Sequence, residues 1–206
     1  MSPSADADLQ AAPSALTPAA QKILTAAAEL FYTRGLHAVG VESIAAAAGV
    51  TKKTIYDRFG SKEALVAAYL NDRSERWQRW LSDALEQAPT DRRLLAPFDA
   101  LDTWLAHQPR RGCAFVNAAA ELPTTDQHGR RVADREKQAM RNLFTRLAEE
   151  AKQPHPETLG AQLYMLHEGA TIAYALTGDD TAVATARSAA EHLCLPTTAQ
   201  RPSFAA

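Results

Sequence analysis

Cysteine is scarce in this chain. Cys113 and Cys194 stand far apart, outside any C-x-x-C pair or His-rich neighbourhood, which leaves no disulfide framework and no zinc site to expect. Long apolar runs are missing too: none approaches the roughly 18 residues of a membrane span. The opening stretch MSPSADADLQAAPSAL carries acids where a secretory signal carries lysine or arginine, so a cytoplasmic location is expected. No run of alternating Val, Ile, Thr and aromatic residues is long enough for a strand, which argues against a sheet. His107, Cys113, Glu121 and His128 lie close in sequence, but no glycine-rich or nucleophile-elbow context surrounds them, and neither catalysis nor a cofactor is expected.

What remains is an ordinary globular composition. Hydrophobic residues make up 46% and charged residues 22% of 206, enough to bury a substantial core in one or two domains. The formal charge of -2 hides an asymmetry. From Thr17 to Trp80, nine basic residues oppose six acidic ones for a net +3, which leaves -5 for the rest. A basic front and an acidic back suggest that only the front approaches a polyanion.

Helical periodicity runs through the chain between two loose tails, 1–16 and 196–206. Thr17-Pro18 is a cap followed by proline at the first helical position; Ile23, Ala27, Leu30 and Phe31 recur at helical spacing, and Gly35 stops the run. A short helix over about 41–48 ends at Gly49, a third runs from Thr51 to before Gly60, and a long fourth opens at Ser61 and reaches about Gln87. Five more are expected at about 91–107, 113–121, 130–152, 156–177 and 180–194, with Pro97 kinking or delaying the first and LPTTDQHG forming a surface loop.

The stretch GVTKKTIYDRFGSKEAL, 49–65, concentrates cations and an aromatic residue in a short helix. Ile55 and Phe59 are four apart and share one face, suited to packing on Ile44, Ala48 and the first helix. Lys52, Lys53, Thr54, Tyr56 and Arg58 fall largely on the other surface. Two short helices joined by a glycine-containing turn form a helix-turn-helix, whose second helix enters the major groove of DNA. Lys52 and Lys53 can reach phosphates or guanine O6/N7, Thr54 can meet a thymine methyl, Tyr56 suits phosphate or base edge, and Lys62 in the first turn of the fourth helix reads as a phosphate clamp. A plain solvated amphipathic face is the alternative.

The residues IAAAAGVTKKTIYDRFGSKEAL, preceded by Ala-Ala-x-x-Leu-Phe and Gly35, resemble the DNA-binding domain of the TetR (tetracycline repressor) family of bacterial transcription regulators. Ile44, Ala45, Ala48, Gly49, Val50, Thr54, Tyr56, Phe59, Lys62 and Leu65 occupy the places of the family's I-A-x-x-A-G-V-x-x-x-T-x-Y-x-x-F-x-x-K-x-x-L pattern. The resemblance implies groove or phosphate contacts from Thr54 and Tyr56 and a phosphate contact from Lys62. Two departures stand out. Val39-Gly40 replaces the Thr or Ser of many members, and Glu42 replaces a residue that is often basic, so it should read cytosine N4 or stand clear of the DNA.

RGCAFVNAAAEL, 111–122, resembles an R-G-C-x-x-x-N-A-x-x-E segment in one group of members, which implies an all-helical effector-binding and dimerisation domain. The whole expectation is an all-α chain of about nine helices: a helix-turn-helix domain over 17–62 and a helical ligand-binding domain over 63–195. Phe98, Leu101, Trp104, Phe115, Phe144, Leu163, Tyr164 and Ile172 supply apolar walls, and Asn117, Glu121, His167 and Glu168 are polar groups on apolar helices. Ligand contacts are expected from Trp104, Phe115, Asn117, Glu121, Phe144, Tyr164 and His167, with a mainly apolar or aromatic effector. Each of the polar four has a satisfied structural role as its alternative. Cys113 at a helix start after Arg110-Arg111 is either redox-sensitive or a small buried residue.

A homodimer is expected through the last two helices, with Ala173, Ala182, Ala186, Ala189 and Ala190 giving smooth faces beside Leu163, Leu166 and Leu193, unless the same alanines line an internal core. Such a dimer reads a palindrome, and the long fourth helix acts as a lever between effector and DNA. The function expected is a ligand-responsive repressor; a redox-responsive regulator through Cys113 and a helical adaptor that binds protein are the alternatives.

Overall fold

The computed structural model describes residues 16–194, and both expected tails fall outside them apart from Leu16. Among the described residues there are nine α-helices and no strand: α1 Pro18–Arg34, α2 Val41–Ala48, α3 Lys52–Phe59, α4 Lys62–Gln87, α5 Ala96–Ala106, α6 Ala114–Glu121, α7 Gln127–Glu150, α8 Pro156–Thr177 and α9 Ala182–Cys194. None is long and apolar enough to cross a membrane. The contacts divide the chain into two units between Tyr69 and Leu70, within α4.

The first unit is built from well-capped short helices. Thr17 Oγ1 accepts the Ala20 N–H at 3.3 Å with Pro18 at the first helical position, and the Gly35 N–H closes α1 on the Phe31 carbonyl. Gly49 ends α2 in the left-handed region at φ 65, a conformation that a residue without Cβ adopts at little cost. Thr51 Oγ1 accepts the Thr54 N–H at 3.1 Å and starts α3; Ser61 Oγ accepts the Ala64 N–H at 3.1 Å and starts α4. Ile23, Ala27, Ile44, Ile55 and Leu65 are fully buried, and Tyr69 on α4 packs its ring 5.7 Å from that of Phe31. Each buried isoleucine or leucine contributes about 1.5–3 kcal/mol relative to leaving it in water. Phe59 and Ala48, expected in this core, are only partly buried.

In the second unit, two expected boundaries move for stated reasons. The helix expected from 91 begins at Ala96, because Pro97 carries no N–H and restricts the residue before it; residues 91–95 instead make turns through the Arg92 and Leu95 N–H groups. The expected loop LPTTDQHG is shorter than its composition suggested. Asp126 accepts the N–H groups of His128 and Gly129, both at 3.1 Å, so Gln127 to Gly129 form the first turn of α7. A Cβ on Gly129 would lie 2.6 Å from Leu122 Cδ1, so a larger residue there makes that side chain shift.

The core of this unit centres on Phe98, Phe144, Ala148, Leu163 and Ala190, all fully buried, with Trp77 and Leu81 from α4 joining it. Ala186, Ala190 and Leu163, expected at a dimer face, are buried within this core of the single chain; Ala182 is buried as well, Ala173 is partly buried and Ala189 is exposed. Their small size lets α9 lie close to its own neighbours. The exposed apolar residues of α8 and α9 are Met165, Ile172, Leu176 and Leu193, so Ile172 is a surface residue and not a cavity wall.

Candidate functional site

On the first unit, the α2–turn–α3 corner carries the sequence candidates on its outer surface. Ile55 points inward and is fully buried, while Tyr56 on the next position keeps 46% of its surface. Lys52, Lys53 and Arg58 are exposed, Thr54 and Lys62 half-buried. Thr54 spends its hydroxyl on the cap: its Oγ1 lies 2.9 Å from Thr51 Oγ1.

Two of the cations are engaged by carboxylates. Lys52 Nζ lies 2.6 Å from Glu42 Oε1 across the turn, and Lys53 Nζ lies 2.7 Å from Asp57 Oδ2 one helical turn on. The Lys52 hydrogen bond holds the Glu42 carboxyl below its usual range, and the same bond raises Lys52. Arg58 and Lys62 stand outside these pairs. The spacing of Lys53 and Asp57 makes their pair legible in the sequence; the Glu42–Lys52 pair depends on how the turn brings α2 and α3 together, and sequence periodicity gives no sign of it.

On the second unit, α4 to α8 form a partly open cavity of about 50 Å³, lined by Arg73, Trp77, Leu101, Trp104, Leu105, Gly112, Cys113, Ala114, Phe115, Glu136, Lys137, Met140, His167, Glu168 and Thr171. Of the expected ligand contacts, Trp104, Phe115 and His167 line it. Trp104 stacks edge-on to Trp77 and Trp80, at 5.4 and 5.8 Å between centroids, with the Arg73 guanidinium 5.5 Å from its ring centre. The other four lie elsewhere. Asn117 donates its amide to the Arg111 carbonyl at 2.7 Å and so braces the loop before α6; Glu121 sits half-buried at the end of α6. Phe144 is core, 5.7 Å from Phe98, and Tyr164 is half-buried, its hydroxyl pushed up by burial and by the nearby Glu168.

Of the cavity's charged lining, Glu168 is singled out in the sequence, whereas Glu136 and Lys137 are not. Lys137 Nζ lies 2.7 and 2.6 Å from the two Glu168 oxygens, with Cys113 beside it. Burial opposes the charge on Lys137, but Cys113 and Glu168 outweigh it and hold the ammonium well above its ordinary range. Burial likewise opposes the Glu168 charge, and the two short Lys137 contacts keep that carboxyl low. Glu136, nearly buried, accepts from the Ser74 hydroxyl and from the Gln78 amide. Glu136 and Lys137 belong to α7, where charged residues are so frequent that these two do not stand out by type, and Glu168 belongs to α8.

His167 is the odd group. It is buried against the rings of Trp77, Phe98 and Phe144, and neither ring nitrogen has a hydrogen-bond partner; Nδ1 lies 3.9 Å from Glu168 Oε1, too far for one. Burial therefore keeps the imidazole neutral. A neutral imidazole beside aromatic walls can donate or accept one hydrogen bond from a bound molecule. No group of three or more His, Cys, Asp or Glu among the described residues is placed to hold a metal.

Comparisons with known proteins divide the chain at the same places. The family described as bacterial regulatory proteins, tetR family, matches residues 23–69, and the tetracyclin repressor-like C-terminal domain matches residues 90–190. The chain is 36% identical over 115 residues to the HTH-type transcriptional repressor DhaR of Mycobacterium sp. (strain GP1), covering 54% of this chain and 57% of that one. It is 36% identical over 87 residues to the HTH-type transcriptional activator FasR of Mycolicibacterium smegmatis, covering 42% and 40%. The match thus spans about half the length of these relatives. A crystal structure of a TetR-family transcriptional regulator from Streptomyces coelicolor superposes with a TM-score of 0.79 at 29% identity, covering 85% of this chain and 94% of that one. With the helix-turn-helix and the all-helical rear unit each matched by its own domain family, the chain belongs to the tetR family of bacterial regulatory proteins.

Proposed function

We propose that this protein is a homodimeric transcription regulator of the cytoplasm that binds a palindromic operator through α3 and releases it when a small apolar or aromatic molecule enters the cavity of the second unit. The observation that carries the reading is the two-sidedness of α3. Ile55 is wholly buried, and the next residue, Tyr56, stands out in water among Lys52, Lys53 and Arg58. A fold has no use for that outer face, and DNA does. Tyr56, Thr54 and the lysines face the groove or its phosphates in this reading, and Lys62 clamps the backbone.

Dimerisation follows from contact arithmetic and from surface. One helix-turn-helix of this size makes few contacts, and two on a dyad read half-sites about 34–36 Å apart or a multiple of it. Met165, Ile172 and Leu176 form an exposed apolar stripe at helical spacing on α8, with Leu193 on α9, which suits a second copy of the chain. The link between effector and DNA is covalent: α4 begins with Lys62 and also carries Arg73 and Trp77 of the cavity lining. His167 is the polar group that orients the effector, and the aromatic walls choose it. One named relative is a repressor and another an activator, and the expected sign here is repression. Gel shifts with genomic fragments test the reading: sequence-selective binding by a dimer is expected, and a protein that shifts no fragment at low salt would overturn it.

A further inference from the structure

Glu42 and Lys52 come from different helices, yet their charged ends lie 2.6 Å apart at the start of α3, the end of a recognition helix that meets base edges. Both side chains are more than half exposed, at 64% and 55%, so neither is held there by packing. In the first turn of α2 the Glu42 carboxyl also bonds its own backbone, which favours an acid there, but at a DNA-reading corner the same charge repels phosphates unless a base edge takes it up.

Resting on the DNA-binding reading above, we propose that Glu42 and Lys52 act as one unit that reads a single C·G base pair in each half-site. The pair presents an acceptor and a donor side by side, 2.6 Å apart. On the major-groove edge of a C·G pair, the cytosine N4 donor and guanine O6 acceptor are themselves hydrogen-bonded, about 2.9 Å apart. The Glu42 carboxylate accepts from N4–H, and the Lys52 ammonium donates to O6 and N7. An A·T pair also sets a donor, N6, beside an acceptor, O4. There the adenine N7 lone pair faces the carboxylate and the thymine methyl crowds the ammonium. The ion pair therefore fits one base pair in one orientation, and its intramolecular bond holds Lys52 in place before DNA arrives.

Selection from randomised DNA, followed by affinity measurements on single-base variants, tests this with the full-length parent, Glu42→Gln, Glu42→Ala, Lys52→Ala and the Glu42→Ala/Lys52→Ala double variant. The parent is expected to specify one C·G pair per half-site, and both single alanine variants to discriminate less at that one position, by roughly 5- to 150-fold. The double variant should lose no more discrimination at that position than either single one. Glu42→Gln should bind random DNA more tightly than the parent while discriminating less. Uniformly tighter binding with unchanged base preference would make Glu42 only a screen against phosphates and overturn the proposal, as would relaxation at two different positions. A parent protein that binds no DNA sinks the regulator reading itself, a result distinct from binding without this preference.

Discussion

Gly160 on α8 approaches Thr145 on α7 so closely that a Cβ added to it would lie 2.6 Å from the threonine hydroxyl and 2.7 Å from its backbone nitrogen and Cα. Backbone cannot rotate out of the way, so Gly160→Ala must part the two helices. Overpacking of this kind costs about 1–3 kcal/mol, against a helix-propensity gain of about 1 kcal/mol. A lower urea midpoint is expected; an unchanged or higher one would mean that α7 yields without cost.

His167 gives the second unit a pH-dependent component of stability. Burial keeps the folded pKa below 6.5, with Glu168 pulling it up and Lys137 pushing it down. The unfolded chain takes up a proton near pH 6.5, so between the two pKa values it holds more protons than the folded one. Stability is then full above about pH 6.5 and falls as pH drops through the folded pKa, by at most about 1.4 kcal/mol per pH unit. Denaturation of the parent and of His167→Phe between pH 7 and 5 should show a shallower decline in the variant, and parallel curves would assign the proton to another group.

The two faces of α3 should separate cleanly on mutation. Ile55→Ala removes a fully buried side chain and should cost about 2–5 kcal/mol. Tyr56→Ala and Lys62→Ala should keep helicity and dimerisation while weakening operator binding, and Lys62→Ala should flatten the salt dependence by about one unit of slope across all sequences. Parent-like affinities in both variants at matched salt would remove these contacts.

Trp104 and Phe144, alike by type, should behave differently. Trp104 lines the cavity, so Trp104→Ala should bind the operator and fail to release it with effector. Phe144 is fully buried in the core, and Phe144→Ala should cost about 3–5 kcal/mol of stability instead. Full induction of a well-folded Trp104→Ala variant would place the effector elsewhere.

Leu176 keeps 82% of its surface in the single chain, so Leu176→Glu should leave the fold intact. If α8 forms the interface, light scattering of this variant should give a monomer at micromolar concentration where the parent gives a dimer. A variant dimer as stable as the parent's would move the interface off α8.

The helices were legible wherever caps and periodicity agreed. Thr17-Pro18, Thr51 and Gly49 each carry a local hydrogen-bonding reason that needs no tertiary context. The α7 start was missed because Asp126 caps it from inside a stretch whose proline, threonines and glycine read as loop. The cavity was half legible. Trp104, Phe115 and His167 stand out as aromatic or polar exceptions on their helices, but Lys137 and Glu136 lie among the charges of α7 and are buried only because α4 and α8 close over them. The α9 alanines were ambiguous for a related reason: close approach to a partner and close approach to one's own core demand the same small side chain, and only the packing around Ala182, Ala186 and Ala190 decides.

The cavity's 50 Å³ is far less than the roughly 300 Å³ or more of an ordinary small-molecule site. An effector that uses this pocket must therefore widen it, and its apparent affinity is its intrinsic affinity scaled by the fraction of molecules already widened. With one molecule in a hundred widened, a ligand of 1 μM intrinsic Kd registers at about 100 μM. A switch of that kind ignores trace aromatic compounds, and the concentration it answers to is set by how reluctantly the aromatic walls part as much as by what they touch.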